Sequence, residues 1–290
     1  MGSQMGILLV LVTSLINAGE SMLLRRYGRK HGDGGMLFNA VICLFAAVFF
    51  ILSDKGGLCF PGGIVLYGIA NSLMYAGGFY FYFLALKTGS FIGSSMICSF
   101  SFVISVFYGI FFLNEGVNLI TGLAMVLAMV SVFMQVYQKE SGGRKNKTSL
   151  KWFVFALLAC LCNGVISILS RVQQIKYDSA YDNEYMFISC LGAFLVLFVF
   201  SVVKEHDIFR IVIKNVSLYG SGIGLLNGAK NLVGLWVYLY MPLSVARPLT
   251  TGVGYILSFL MTVFIYREPF TKLRLGGVIV GVVAVLLFQL

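Results

Sequence analysis

Three ionisable side chains lie within otherwise apolar stretches of this sequence, where a charge is costly unless it is paired or hydrated: Glu20, Lys230 and Arg247. A desolvated ammonium can hold an anionic group or exchange a proton. A guanidinium presents a planar fork that suits a carboxylate or phosphate. These residue types favour a polar binding site, in which Glu20 would supply the negative charge opposite Lys230.

Each of these charges also has a structural interpretation. Glu20 precedes Arg25 and Arg26 closely enough to pair with them near the membrane boundary. Lys230 can snorkel away from lipid or pair between helices, and Arg247 can lie at the interface at a helix end. The sequence leaves both interpretations open for each residue.

Amides and aromatic residues form a second group of candidates. The amides must be hydrogen-bonded when buried, either between helices or around a pocket, and they are Asn17, Asn71, Asn163, Asn227 and Asn231. Tyr75, Phe79 and Tyr82 are spaced i, i+4 and i+7, on one face of a helix. Such a stripe usually packs in a core, but facing a cavity it would form a wall for an apolar or quaternary ammonium group.

The composition is that of a membrane protein, because 59% of the residues are hydrophobic, 11% are charged and the mean hydropathy is +0.92. Charged or turn-rich breaks separate ten apolar stretches, each long enough to cross about 30 Å of hydrocarbon as a helix. These are 6–26, 36–53, 63–86, 90–113, 117–137, 150–171, 184–203, 218–241, 243–266 and 272–290. We therefore predict an all-α, multi-pass protein of a cell membrane, with the bacterial plasma membrane expected.

Several functional classes find no support in the sequence. Of the six cysteines, all except Cys59 lie in predicted spans without a CxxC pair, so neither a disulfide framework nor a metal site is indicated, and no cofactor is expected. The spans contain no catalytic constellation and no phosphate-binding glycine loop, which argues against an enzyme and against ATP as the energy source. The net charge of +10 lies in short loops, so nucleic acid is not an expected partner.

The basic residues are distributed unequally between the two sides of the predicted membrane. Connections 1–2, 3–4, 5–6, 7–8 and 9–10 hold 16 of the 21 lysines and arginines. Because cytoplasmic loops are enriched in these residues, this count alone predicts that both termini lie outside the cytoplasm.

The two halves of the sequence repeat each other. Residues 15–26 align with 161–172, matching Asn17 to Asn163, and 71–82 align with 227–238, matching Asn71 to Asn227. A third pair, 111–135 and 264–289, matches Glu115 to Glu268. Runs such as 220–228 also place small residues four apart, which lets helices approach closely.

The duplication predicts a repeat over 1–138, a basic linker over 139–150 and a second repeat over 151–290. Since each repeat has five spans, the second must be inverted relative to the first, the plan of many secondary transporters. Two inverted repeats imply alternating access. A monomer suffices for this plan, and a dimer is compatible with it.

With ten spans in this order, the chain resembles the drug/metabolite transporter superfamily, whose members pair two EamA-type domains. The resemblance rests on Glu115 and Glu268, each ending the fourth span of its half before a glycine-bearing fifth span. Residues 251–270 also look like the small multidrug resistance transporters. The resemblance implies a membrane transporter with cytoplasmic termini, opposite to the orientation that the charge count predicts.

The sequence departs from the small multidrug transporters where they carry an essential glutamate, eight residues before a lysine. The corresponding positions here are Asn17 and Asn163, which puts a simple proton-for-cation exchange by that residue in doubt. By the same alignment, Arg247 replaces a tyrosine that lines their substrate pocket.

We therefore expect a secondary active transporter for a small anionic or zwitterionic metabolite, such as an amino acid, an organic acid or a phosphorylated compound. The expected partners are this substrate, the lipid bilayer and a coupling proton or ion. One alternative is a transporter of organic cations, bound by Glu20 and the aromatic stripe. A second alternative is a receptor or scaffold that does not transport.

Overall fold

A computed structural model describes most of the chain, namely residues 2–31, 35–54, 57, 59–89, 91–116, 118–136, 150–204, 208–264 and 272–288. Glu268 and most of the predicted linker lie outside the described residues. The helices are α1 (Gly2–His31), α2 (Gly35–Ser53), α3 (Gly62–Thr88), α4 (Phe91–Ser99), α5 (Ser101–Phe112), α6 (Leu119–Val136), α7 (Leu150–Tyr177), α8 (Asp182–Lys204), α9 (Ile208–Tyr240), α10 (Leu243–Phe264) and α11 (Lys272–Leu287).

The fourth predicted span consists of two helices, α4 and α5, that meet at Phe100. The Phe100 amide bonds to the Ile97 carbonyl at 3.1 Å, and the Val103 amide bonds to the Phe100 carbonyl at 3.0 Å. These i to i−3 bonds tighten the turn and interrupt the α-helical ladder. The Ser99 hydroxyl donates to the Ser95 carbonyl at 2.7 Å, a local side-chain bond at the end of α4.

Six spans within the described residues are long and apolar enough to cross a membrane by length and composition: α1, α2, α3, the α4–α5 span, α7 and α8. Helices α6 and α11 are apolar but shorter in the part that is described. Helices α9 and α10, which carry Lys230 and Arg247, are not among these six spans.

The helix packing follows the duplication. Helix α1 packs on α9, and the corresponding helix α7 packs on α3. Helix α2 contacts α9, while its counterpart α8 contacts α3. Two helices pack directly against their own counterparts: α2 against α8, and α6 against α11. Exchanging the two repeats therefore maps this contact pattern onto itself, as inverted repeats around a pseudo-two-fold axis require.

A row of glycines allows α9 to approach α2 closely. Gly220, Gly224 and Gly228 are four residues apart and face Val41, the Ile42–Phe45 turn and Phe49. A Cβ atom at position 224 would lie 2.6 Å from the Ile42 carbonyl oxygen. The close approach therefore depends on the missing side chain.

Gly224→Ala is expected to lower stability by about 1–3 kcal/mol, because its methyl group would clash with backbone that cannot move aside locally. The loss should exceed the gain of about 1 kcal/mol that alanine brings to a helix interior. The apparent melting temperature of the detergent-purified protein, followed by fluorescence-detected size exclusion, measures this effect.

Gly222→Ala is the matched control on the same helix, because among the described residues its new Cβ would meet only Leu23 Cδ1 within 4 Å, at an ordinary 3.7 Å. We expect this variant to melt at the parent temperature or slightly above. Equal melting temperatures for both variants would mean that α2 and α9 do not pack as closely as described.

A large hydrophobic cluster fills one end of the helix bundle. We call the side with the α1–α2, α3–α4, α6–α7, α8–α9 and α10–α11 connections the basic side, and the other the opposite side. The cluster joins buried residues at the opposite-side ends of six helices: Val10, Ala46, Ala47, Phe50, Ile64, Tyr185, Met186, Cys190, Leu235, Val237, Tyr238, Leu243, Ala246, Leu249 and Val253. We refer to it as the opposite-side cluster.

Candidate functional site

A cavity of about 620 Å³ lies between the two repeats and is lined by α1, α3, α4, α5, α7, α8, α9 and α10. Its volume is in the range of sites for small molecules. The lining positions recur every three or four residues along each long helix, so one face of each helix points inward. On α10, for example, these positions are Arg247, Thr250, Thr251, Gly254, Tyr255 and Ser258.

An ion pair joins α1 to α9 in this cavity. Lys230 Nζ donates to Glu20 Oε2 at 2.5 Å, and the two side chains are 21% and 10% exposed. Asn227 Nδ2 donates to the other carboxylate oxygen of Glu20 at 2.9 Å. Glu20 therefore pairs with Lys230 in the cavity, the first of its two interpretations.

The same network continues from α9 to α3 through uncharged groups. Asn231 Nδ2 donates to Asn227 Oδ1 at 2.9 Å, and the Tyr75 hydroxyl donates to Asn231 Oδ1 at 3.3 Å. Five cavity-lining side chains thus form one chain of hydrogen bonds from Tyr75 to Lys230. A network of this kind holds its members in fixed positions, because each bond orients the next group.

The aromatic stripe on α3 faces the cavity. Tyr75, Phe79 and Tyr82 all belong to its lining, so this stripe forms a wall as well as packing against its neighbours. Tyr75 and Phe79 also contact the cluster of buried residues between α2, α3 and α8. The wall is therefore backed by packed side chains.

Arg247 lines the cavity near its opposite-side end, one turn into α10. Its Nε atom is buried and has no hydrogen-bond partner in the described part of the chain. Lys230, by contrast, is neutralised by Glu20. Among these three charges, Arg247 therefore supplies the unpaired positive charge of the cavity.

Glu115 occupies the amino terminus of α10 from outside the helix. Its Oε1 and Oε2 atoms accept hydrogen bonds from the backbone amides of Leu243 and Ser244, both at 2.8 Å. A carboxylate at this position satisfies orphan amides and complements the helix dipole. The helix terminus is therefore occupied, and Arg247 remains the cation that faces the cavity there.

Hydroxyl groups of α4 and α10 line the basic-side part of the cavity, and the sequence analysis missed them. Ser99 and Tyr255 are hydrogen-bonded to each other, and Ser95 and Ser258 lie in the same lining. The signal that could have found Tyr255 and Ser258 is their spacing of 8 and 11 residues from Arg247, which places all three on one helix face.

Nine of the ten predicted site residues line the cavity, and Asn71 does not. Asn71 is fully buried between helices, where its Nδ2 donates to Ser189 Oγ on α8 at 3.0 Å. Asn17 and Asn163 both face the cavity, and Asn163 Nδ2 also donates to the Ala159 carbonyl at 3.0 Å. Asn71 therefore holds helices together, although its repeat partner Asn227 belongs to the polar network.

The charges break the symmetry of the two repeats. Glu20 corresponds to Ile166 in the second repeat, and Lys230 corresponds to Met74 in the first. Each member of the pair thus has an apolar residue at the matching position of the other repeat. A ligand in the cavity would meet a polar wall on the α1–α9 side and a less polar wall on the α3–α7 side.

The two ends of the cavity differ in exposure. Met186, Leu235 and Tyr238 line its opposite-side end, belong to the opposite-side cluster and are at most 8% exposed. At the basic-side end Ser21 is exposed, and Tyr82 and Ser258 are half-buried. Several lining residues at the opposite-side end are therefore more deeply buried than those named at the basic-side end.

The described residues contain no group of three or more histidine, cysteine, aspartate or glutamate side chains that could hold a metal ion. From the described part of the chain, the cavity is lined by one carboxylate, two cationic side chains, amides and hydroxyls. This set can bind a small polar molecule through charge and hydrogen bonds.

Comparison with known proteins finds a matching family model and a solved structure with the same fold. The sequence model of the EamA-like transporter family matches residues 4–137 and 150–290. A solved structure described as "Crystal structure of protein" superimposes with a TM-score of 0.77 at 14% sequence identity, and the match covers 98% of each chain. At this identity the likeness shows the fold alone. Among curated proteins, none matches the sequence significantly.

Proposed function

The chain belongs to the EamA-like transporter family, and from this premise we propose that it moves a small anionic or zwitterionic metabolite by alternating access. Membership makes the protein a multi-pass membrane transporter and not an enzyme. The substrate class, the transport mechanism and a location in the bacterial plasma membrane belong to the proposal. The central cavity is the proposed binding site.

The observation that carries the substrate class is the charge of the cavity. Glu20 and Lys230 neutralise each other at 2.5 Å, whereas Arg247 has a buried Nε without a partner among the described residues. An unpaired guanidinium in a partly desolvated cavity is stabilised by a carboxylate or phosphate that completes its hydrogen bonds. A substrate with at least one anionic group meets this need.

A zwitterionic substrate would use both charged parts of the cavity. Its anionic group would bind Arg247, and its ammonium group would bind Glu20 in competition with Lys230. Asn17, Asn163, Asn227 and Asn231 would then bond the remaining polar atoms. This division of roles accounts for a carboxylate in a cavity that is otherwise positively charged.

Alternating access is supported by the combination of symmetry and unequal ends. The opposite-side cluster buries Met186, Leu235 and Tyr238 at one end of the cavity, while Ser21 at the basic-side end is exposed. If the two repeats exchanged conformations, the deeper burial would lie on the basic side and the cavity would open on the opposite side. This asymmetry is therefore what one state of such a cycle requires.

Organic cations are the second candidate substrates, and the aromatic stripe favours them. Tyr75, Phe79 and Tyr82 line the same cavity as Glu20, and aromatic faces attract quaternary ammonium groups. If the substrate is an organic cation, Glu20 would break its ion pair with Lys230 and neutralise the bound cation instead. Arg247 would then oppose binding, which makes this the weaker candidate.

Thermal stabilisation of the detergent-purified protein distinguishes the two candidates. A ligand that binds the folded state raises the melting temperature by mass action. We expect stabilisation by some members of a panel of carboxylates, phosphates and amino acids, followed by uptake of the same compounds into proteoliposomes. Stabilisation by organic cations alone, lost in Glu20→Gln, would overturn the anionic and zwitterionic assignment. Binding without uptake or exchange would contradict transport.

A further inference from the structure

Three side chains form a buried polar cluster where α7 meets α8, outside the lining of the cavity. Gln173 Nε2 donates to Asp182 Oδ1 at 2.6 Å, and Gln174 Nε2 donates to Asp182 Oδ2 at 2.8 Å. Asp182 is 8% exposed, and the two glutamines are 0% and 2% exposed. The turn between the helices sets this geometry, since the Ser179 amide bonds back to the Gln174 carbonyl at 3.1 Å.

The cluster has more hydrogen-bond acceptors than donors. Gln173 Oε1 and Gln174 Oε1 are both buried and have no partner in the described part of the chain. An ionised Asp182 can only accept, so it cannot satisfy either oxygen. A proton on Asp182 would turn the carboxyl group into a donor, and one glutamine amide could then rotate to present its oxygen. Binding one proton therefore supplies a donor for one of the two glutamine oxygens.

No cation neutralises Asp182 among the described residues. The charged and titratable groups around it include Glu184 and Tyr185 on α8, Arg171, Lys176 and Tyr177 on α7, Asp178 and Tyr181 in the connecting turn, Tyr67 on α3, Tyr238 on α9 and Asp54 after α2. Arg171 Nη1 is bonded to the Tyr238 carbonyl at 2.6 Å, and Lys176 lies 5.4 Å from the Tyr67 ring centre. Both nearby cations on α7 are thus engaged elsewhere.

The cluster is connected to the opposite-side end of the cavity. Gln174 Nε2 also donates to the Leu235 carbonyl of α9 at 3.1 Å, and Arg171 holds the Tyr238 carbonyl three residues further on. Leu235 and Tyr238 line the cavity and belong to the opposite-side cluster. Rotation of the Gln174 amide would release the Leu235 carbonyl and weaken the attachment of α9 to α7.

We propose that Asp182, Gln173 and Gln174 form a proton-binding site that controls opening of the cavity on the opposite side. Ionised Asp182 holds Gln174 against α9 and keeps that end closed. A proton from the aqueous phase on the opposite side neutralises Asp182, releases α9 and favours the state open to that side. This inference rests on the proposed transport cycle and names the proton as its coupling ion.

The distance between the opposite-side ends of α7 and α9 tests the proposal without any substrate. Spin labels at Ile175→Cys and Leu239→Cys, both 51% exposed in the parent, would be introduced into the full chain with its six native cysteines replaced. Pulsed electron–electron double resonance in nanodiscs then measures the distribution of distances between the two labels at neutral and mildly acidic pH. Because no substrate is added, failure here leaves the substrate proposal standing.

We expect acidification to shift the distribution to longer distances in the parent. Asp182→Asn should give the longer distance at both pH values, since its side chain is neutral and can donate. Glu184→Gln is the matched control, because Glu184 is also buried on α8 and accepts only from the Cys59 backbone amide among the described residues. Its replacement should keep the pH-dependent transition and move its midpoint to lower pH, since a neighbouring negative charge is removed.

A second variant keeps the proposal testable if Asp182→Asn folds poorly. Gln173→Met removes one donor from the ionised carboxylate, so the midpoint of the transition should move to higher pH while the transition itself remains. A distance that does not change with pH in the parent would overturn the proposal. So would a pH response that persists in Asp182→Asn or a midpoint that Gln173→Met leaves in place.

Discussion

Lys230→Ala is expected to lower the stability of the protein by about 3 kcal/mol, because it leaves Glu20 as an uncompensated carboxylate in a largely buried position. Asn227 would still donate to Glu20, but an amide cannot neutralise its charge. The side chains are only 10% and 21% exposed, so water can replace the lost ammonium only in part. Melting of the purified variant in detergent measures the loss.

The double variant Glu20→Gln/Lys230→Met separates the charge from the packing. It removes both charges while keeping side chains of similar size, so it should melt closer to the parent than Lys230→Ala does. Its uptake activity should nevertheless be lost if the pair serves the substrate. Single and double variants whose effects simply add would show that Glu20 and Lys230 do not interact.

Arg247→Met should weaken binding of anionic ligands at least about 30-fold, the equivalent of about 2 kcal/mol for losing a desolvated charge partner. Arg247→Lys should restore part of the affinity, because an ammonium keeps the charge but not the planar fork. The measurement is the concentration dependence of thermal stabilisation by whichever anion stabilises the parent.

Arg26→Met is the matched control for this prediction. Arg26 is exposed at the basic-side end of α1 and does not line the cavity, so its loss should change the affinity little. If Arg247→Met binds the anion as well as the parent while Lys230→Ala does not, the anion is held by Lys230 and the assignment of Arg247 is wrong.

The fold follows closely from the sequence. The family match confirms the predicted ten-helix membrane fold built from two inverted repeats, and it confirms a transporter rather than an enzyme. The apolar stretches located the spans because hydrocarbon leaves the backbone no alternative to internal hydrogen bonds. The break at Phe100 was missed because both of its sides are equally apolar, and hydropathy carries no information on backbone geometry.

The composition of the site was predictable to a lesser degree. Charges and matched amides stood out against an apolar background, and nine of the ten selected residues line the cavity. Serine and threonine are common in membrane helices and often bond to their own backbone, so Ser95, Ser99 and Ser258 gave no comparable signal. Asn71 was selected because an amide is conspicuous in an apolar helix, but it is buried between helices and bonds to Ser189 outside the cavity lining.

The sequence by itself determined that this is a membrane protein, the number of its spans, its duplication and the presence of costly charges within the membrane. Only the tertiary structure decided how those charges combine. Glu20 could pair with Arg25 on its own helix or with Lys230 more than two hundred residues away, and local spacing cannot choose between them. The choice depends on which helix faces meet, because burial makes a charge bond to whatever partner the packing brings within reach.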